Sequence, residues 1–167
     1  MENISKIHTN DLYNTLLSLS RNIFFYKKIG LPDTFETRIY LMFIHFSIFM
    51  IISKMKGSKF EQKSYDNLFN SIEYNLRELG FGDVSVNKKM KELNKILYDI
   101  LLKLNSNKID NNNFKIEHSL ISKYFNTLKD LNSVKFKDFE TYFNNFFNFC
   151  FELSLDNMVE DSKNFKI

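Results

Sequence analysis

The segment RIYLMFIHFSIFMIISK, from Arg38 to Lys54, is the most apolar part of the chain and limits its fold more than any other feature. About fifteen residues lie between its basic ends, fewer than the roughly twenty that a membrane-spanning helix needs. Since the segment is apolar on every side, we expect a central core helix at residues 34–54. A helix that contacts a membrane is the alternative.

The rest of the chain repeats apolar residues at intervals of three and four, with almost no alternation of period two. This pattern predicts an all-α protein, a single compact domain of about six helices around the central one. We expect the domain at residues 1–157 and a polar, frayed tail at 158–167. Of the other helices, the first is predicted from Thr9–Asp11 to about Phe25, and the third is predicted to end at about Leu79. Three more are predicted over about 86–104, 116–131 and 136–155.

The last of these predicted helices contains seven phenylalanines, more than one buried stripe requires. Either several neighbours surround the helix, or part of it presents an aromatic surface to a partner. Between the fourth and fifth helices, the asparagine-rich stretch NSNKIDNNN predicts a connecting loop.

The sequence contains no recognisable catalytic or metal-binding motif. Three histidines (His8, His45 and His118) are scattered, and Cys150 is the single cysteine. We therefore expect His45 to be a hydrogen-bonded core residue rather than a ligand, and we predict no catalytic residue, metal or cofactor. One cysteine suits a reducing compartment, and the N-terminus lacks the features of a signal peptide.

Two short glycine-containing stretches predict helix boundaries. In KKIGLPDTFE, Gly30 is expected to be left-handed, Pro32 cannot continue a helix, and Asp33 and Glu36 stand in the register of a capping box. This stretch therefore predicts the end of the first helix and the start of the central one.

The second stretch, RELGFGDVSVNKKMK, holds two of the four glycines in the chain. Gly80 is expected to end the third helix in a left-handed conformation, with Phe81 packed on the core and Gly82 at a second unusual backbone angle. Asp83 or Ser85 would then cap the fourth helix. A phosphate-binding loop is not predicted, because no Gly-Lys-Ser/Thr follows.

Lysines follow this turn, although a helix N-terminus favours acidic side chains. The net charge of +3 is only mildly basic, so any basic surface must be local. Lys88, Lys89, Lys91 and Lys95 are either a solvated face or a contact surface for something anionic, namely nucleic acid, lipid headgroups or an acidic protein.

Two segments, FYKKIGLPDTFETRIYLMFIH and YDNLFNSIEYNLRELGFGDVSVNKKMKEL, resemble the ubiquinol–cytochrome c chaperone family, in particular its shorter alphaproteobacterial homologues. The first resembles the start of an apolar helix that contains His, and the second resembles a glycine turn followed by lysines. The resemblance covers roughly residues 20–100. It departs at Tyr98-Asp99-Ile100, where the family commonly has an aromatic residue followed by Gly-Arg. The motif residues, expected to be structural, are Gly30, Pro32, Asp33, Arg38, His45, Arg77, Glu78, Gly80, Gly82 and Asp83.

The resemblance implies a non-enzymatic assembly chaperone for the respiratory cytochrome bc complex, which holds or delivers newly made cytochrome b. The implied partners are unassembled cytochrome b, the ribosome or the anionic inner face of the membrane, and a protein co-chaperone; specific DNA is not among them. The implied location is the cytoplasm, peripheral to the membrane. Two alternatives stay open: an RNA- or ribosome-binding helical module, and an enzyme or carrier for an apolar, lipid-like ligand.

Overall fold

The computed structural model describes residues 12–106 and 114–167, and within these ranges it is helical without strands. The prediction of an all-α fold is confirmed. Helix α1 occupies residues 12–20 of the described part, and a π-helical turn follows at Phe24–Lys28. The other helices are α2 (Phe35–Met55), α3 (Gln62–Glu78), α4 (Asp83–Ser106), α5 (His118–Tyr124), α6 (Val134–Phe151) and α7 (Met158–Asp161), with 3₁₀ turns at Asn126–Leu128 and Ser162–Asn164.

Helix α2 is the centre of the domain, as predicted from its apolar sequence. Among the described residues it is the one helix long and apolar enough to cross a membrane, yet 72% of its most apolar window is buried inside the domain. Its first turn is capped by Thr34, whose side chain accepts a hydrogen bond from the Thr37 amide at 3.2 Å. The expected cap at Asp33 is therefore wrong, because that carboxylate instead accepts from Arg38 Nη1 at 2.7 Å.

The phenylalanines of α6 have neighbours on several sides. The Phe25 ring lies 4.7 Å from that of Tyr142 and 5.9 Å from that of Phe143. On another side, Phe114 stacks on Phe147 with ring centroids 4.7 Å apart. Of the two interpretations of this helix, the structure thus supports burial by several neighbours over an aromatic surface left open for a partner.

Three predicted helices, α1, α5 and α6, end earlier than expected. α1 stops at residue 20 rather than Phe25. At this earlier end, the Tyr26 hydroxyl donates to the Ser20 carbonyl at 2.7 Å. α5 stops at Tyr124 rather than continuing to Leu131, because Phe125 is extended and places its ring against Phe139, 5.3 Å away in the core. The predicted start at Thr9–Asp11 and most of the asparagine-rich loop lie outside the described residues.

The C-terminal segment packs against α6, so the expectation of a frayed tail at 158–167 is wrong. Met158 is buried, and the Phe165 ring lies 5.4 Å from those of Tyr142 and Phe146. These aromatic contacts hold a segment that is otherwise polar. α6 likewise ends at Phe151 rather than Leu155, ahead of this segment. The domain limit at residue 157 stays a prediction.

Candidate functional site

The turn between α3 and α4 is a helix–turn–helix joint closed by Gly80. Gly80 has φ +96°, as predicted, and its amide donates to the Arg77 carbonyl at 3.0 Å. The Phe81 amide donates to the Leu76 carbonyl at 3.3 Å. This pair of hydrogen bonds is the Schellman motif, in which a left-handed residue satisfies carbonyls at the end of a helix.

Three expectations about the same joint are wrong. Gly82 has no positive φ, and the side chain of Phe81 is 39% exposed rather than packed on the core. α4 begins at Asp83 itself, so neither Asp83 nor Ser85 precedes the helix as its cap. The reason is that the Schellman motif at Gly80 already reverses the chain, which leaves the next residues free to enter α4 directly.

Arg77 connects the two helices of the joint. Its Nη1 donates to the carboxylate of Asp83, and its Nη2 donates to Glu73 at 3.1 Å. The hydrogen bond that Arg77 donates to Asp83, and next the one that it donates to Glu73, raise the pKa of Arg77. Arg77 and Asp83 are therefore held together by a contact within the joint, and the purely structural role expected for them stays a prediction. Glu78 is exposed, as are Arg77 and Asp83.

The first motif forms a similar closed turn before α2. Gly30 is left-handed, with φ +78°, and the Leu31 amide donates to the Phe25 carbonyl at 2.9 Å. Pro32 is exposed, and its carbonyl accepts from the Thr34 amide at 3.0 Å. Together with the Asp33–Arg38 pair, these contacts connect the π-helical turn to the first turn of α2.

The structure brings the two motifs together. Glu36, in the first turn of α2, accepts from Lys89 of α4 at 3.4 Å. Lys89 is thus engaged in a contact within the domain, unlike the other lysines of its cluster. Of the four lysines predicted to contact a partner, this is the one for which the structure supplies another role.

Lys88, Lys91 and Lys95 are exposed, and in the part of the chain that the structure describes no acidic group pairs with them. α4 begins three residues before the predicted start at Val86, so Asp83 occupies the first turn and Lys88 lies in the second. The unfavourable interaction with the helix dipole is therefore weaker than expected, since it fades beyond the first turn. Their binding to a partner stays a prediction.

Exposed apolar residues share the side of α4 that carries these lysines. Positions 84, 88, 91, 95, 98 and 102 follow one another at steps of four and three, which places them along one side of a helix. We call this set the outer face of α4: Val84, Lys88, Lys91, Lys95, Tyr98 and Leu102. The three apolar members are 85%, 56% and 66% exposed, respectively. The sequence indicated the lysines as a possible contact surface. The apolar residues could have been found only by extending the same spacing along the helix in both directions.

Asp99, at the position where the sequence departs from the family pattern, connects α4 to α5. Its carboxylate accepts from Lys123 at 2.8 Å and from the Tyr124 hydroxyl, and it pairs with Lys103 at 3.2 Å. Burial alone would raise its pKa, but the hydrogen bonds from Lys123, Tyr124 and Lys103 outweigh burial and hold the pKa at about 2. The departure thus has a structural role.

The buried titratable groups also have structural roles. His45 Nδ1 donates to the Leu41 carbonyl at 2.6 Å, and its Nε2 accepts from the Tyr142 hydroxyl at 2.9 Å. Burial lowers the pKa of His45 to about 4, so the ring is neutral, as expected of a core residue. Burial also raises the pKa of the Cys150 thiol to about 12. The described residues contain no group of side chains that could hold a metal ion.

An apolar cavity of about 180 Å³ lies between α2, α3 and α4, beside Tyr98. Phe46, Met50, Phe60 and Leu97 contribute to its walls. It is smaller than the roughly 300 Å³ at which ligand pockets usually begin, so it gives no support to the alternative of an enzyme or carrier for a lipid-like ligand.

Fold and site together define a helical domain with two structural motifs joined at the starts of α2 and α4, and a partly basic, partly apolar outer face on α4. A family model described as ubiquinol-cytochrome C chaperone matches residues 27–135, which include nearly all of both motif segments. The chain belongs to the ubiquinol-cytochrome C chaperone family. The match extends beyond residue 100, to the start of α6. No curated protein and no solved structure matches the chain.

Proposed function

We propose that this protein is a non-enzymatic assembly chaperone for the respiratory cytochrome bc complex and that it holds or delivers newly made cytochrome b. The observation that carries the proposal is the family match over residues 27–135. The structure supports it through the motif residues, since Gly80, Arg77 and Asp83 build the joint that presents α4.

Exposed apolar side chains at this joint support the holding of an apolar client. Leu79 is 56% exposed, and it is followed by the exposed side chains of Phe81 and Val84. A transmembrane segment that has not yet been inserted must cover its apolar surface, and clustered exposed apolar residues offer such a contact. Most phenylalanines of α6 do not serve this purpose, since their neighbours already bury them.

The proposed partners are unassembled cytochrome b, the ribosome that makes it and a protein co-chaperone. The proposed location is the cytoplasm, at the inner face of the membrane. Exposed lysines on α4 support contact with an anionic partner.

The experiment that tests the function is deletion of the gene, followed by measurement of the assembled cytochrome bc complex. We expect the complex to be depleted and to return when the wild-type chain is supplied. A complex at its normal level in the deletion strain would refute the proposal.

A pair of variants tests whether the joint contacts the client. In the complemented strain, Leu79→Ser with Phe81→Ser should lower both the amount of cytochrome b that purifies with the protein and the amount of assembled complex. Leu131→Ser is the control, since Leu131 is 55% exposed and lies in the segment between α5 and α6, after a different helix. Equal losses in both variants would contradict a specific contact at the joint.

A second candidate, an RNA- or ribosome-binding module, is favoured by Lys88, Lys91 and Lys95, for which the described residues form no ion pair. Binding to RNA should weaken steeply as salt rises, because each neutralised phosphate releases counterions, whereas the holding of an apolar client should not. Co-purification of ribosomes and of cytochrome b at increasing ionic strength separates the two candidates. Loss of cytochrome b in parallel with the ribosomes would favour the second one.

A further inference from the structure

The outer face of α4 combines two chemistries in an order that the proposed function does not explain. Its six positions run from Val84 to Leu102, eighteen residue steps or about 27 Å along the helix. Lysines occupy the middle three positions, and Val84 and the pair Tyr98 and Leu102 lie at the two ends. The face therefore offers positive charge flanked by apolar side chains, all of them exposed.

The acidic groups around this face leave its charge largely uncompensated. Asp83 is engaged by Arg77, Glu36 by Lys89, and Asp99 by Lys123 and Lys103. Glu92 is exposed at the edge of the face, four residues after Lys88 and three before Lys95, a spacing at which it partly offsets their charge. A local excess of positive charge remains, although the chain as a whole is only mildly basic.

We propose that the outer face of α4 binds the surface of a lipid bilayer rich in anionic headgroups. Lys88, Lys91 and Lys95 lie against the phosphates, and Val84, Tyr98 and Leu102 enter the boundary between headgroups and acyl chains. Lysines on one side of a helix are attracted to an anionic leaflet, and aliphatic and tyrosine side chains suit the interface.

The apolar members distinguish a bilayer from a nucleic acid. A phosphate backbone gives no favourable environment to Val84 or Leu102, whereas the acyl boundary of a bilayer does. Attachment through such a face would be reversible, and it leaves α2 in the core, where most of its apolar window is buried. The inference rests on the part of the proposed function that locates the protein at the inner face of the membrane, and it names the surface and the chemistry that would hold it there.

The test is sedimentation of the full chain with vesicles of phosphatidylcholine, alone or mixed with phosphatidylglycerol. We expect binding to the mixed vesicles only, weakening as salt rises. Replacing Lys88, Lys91 and Lys95 by Gln should reduce the partition coefficient by about a hundredfold, since each lysine contributes roughly fivefold near an anionic surface. The matched control replaces Lys137, Lys163 and Lys166 by Gln, which gives the same net charge and should change binding little.

A second variant, Val84→Ser with Leu102→Ser, keeps every charge. It should weaken binding to the mixed vesicles and leave binding to single-stranded RNA unchanged. Since all the substituted residues are exposed, the far-ultraviolet circular dichroism of each variant should match that of the wild type. Vesicle binding by the purified protein tests this inference, whereas the assembly assay in the deletion strain tests the proposed function. One of the two can therefore fail while the other succeeds.

Three results would overturn the proposal. The control lysines could matter as much as those of α4, which would indicate an effect of net charge alone. The wild type could bind RNA but not the mixed vesicles, which would assign the face to a nucleic acid. Finally, the Val84 and Leu102 variant could bind vesicles as well as the wild type, which would exclude insertion of the apolar residues.

Discussion

His45 predicts a specific dependence of stability on pH. Its ring is completely buried, and both ring nitrogens are engaged, by the Leu41 carbonyl and the Tyr142 hydroxyl. A proton added to Nε2 would displace the hydrogen bond from Tyr142 and place a charge among aromatic rings. The folded protein therefore resists protonation of this histidine, while the unfolded chain accepts the proton freely.

The magnitude follows from the two pKa values of His45, 6.5 when the chain is unfolded and about 4 in the fold. Because the folded value is the lower one, its contribution to stability is complete above pH 6.5 and is lost as pH falls towards 4. Each pH unit between the two values costs about 1.4 kcal/mol, so the free energy of unfolding should fall by roughly 2 kcal/mol between pH 7 and pH 5 and by about 3 kcal/mol by pH 4.

The assay is urea unfolding, followed by circular dichroism, for the wild type and His45→Gln at several pH values between 7 and 5. The free energy of unfolding of the wild type should fall relative to that of the variant by about 2 kcal/mol over this range. Ile72→Val, a buried substitution on α3 without a titratable group, controls for destabilisation alone and should run parallel to the wild type. Parallel curves for His45→Gln and the wild type would refute the reasoning.

Four other substitutions test the joint between α3 and α4, the C-terminal segment and the ion pairs of Asp99, each by urea unfolding. Gly80→Ala should cost about 1–2 kcal/mol because its φ is positive, while Gly82→Ala should be close to neutral; equal costs would contradict the difference between the two glycines. Phe165→Ala should cost about 2 kcal/mol, less than a fully buried Phe, and no change would mean that the segment at 158–167 is frayed after all. Asp99→Asn should cost about 1 kcal/mol at neutral pH, and because the pKa of Asp99 is depressed, the difference from the wild type should shrink as pH falls below 4 towards 2; a constant difference would contradict the ion-pair network.

The central helix and the all-α fold could be predicted because α2 is apolar on every side and the other helices repeat their apolar residues with a helical period. Helix ends were harder, since they depend on contacts between distant residues. α5 stops at Phe125 because that ring finds a place beside Phe139, and nothing in the local sequence indicates this. Phe165 likewise lies in a stretch that the sequence predicts to be a polar tail. Its contacts with Tyr142 and Phe146 depend on how α6 is placed in the fold.

In the candidate site, the left-handed Gly80 could be predicted because a glycine at the end of a helical pattern is a strong local signal. The ion pair between Lys89 and Glu36 could not, since 53 residues separate its partners along the chain. This pair changes the meaning of the lysine cluster. A run of similar charges in the sequence divides, once folded, into one residue used inside the domain and three that face outward.

This division connects the architecture of the motif to the surface. Arg77, Asp83 and Gly80 set the direction in which α4 leaves the joint, while Glu36 and Lys89 hold the start of α4 near that of α2. With both contacts in place, α4 buries Val86, Leu93 and Leu97, and its opposite side, with Lys88, Lys91 and Lys95, must face outward. The motif residues therefore act on the outer face through the orientation of the helix. A loss of lysine contacts with a partner should follow from damage to the joint as well as from loss of the lysines, but only damage to the joint should also lower the stability of the fold.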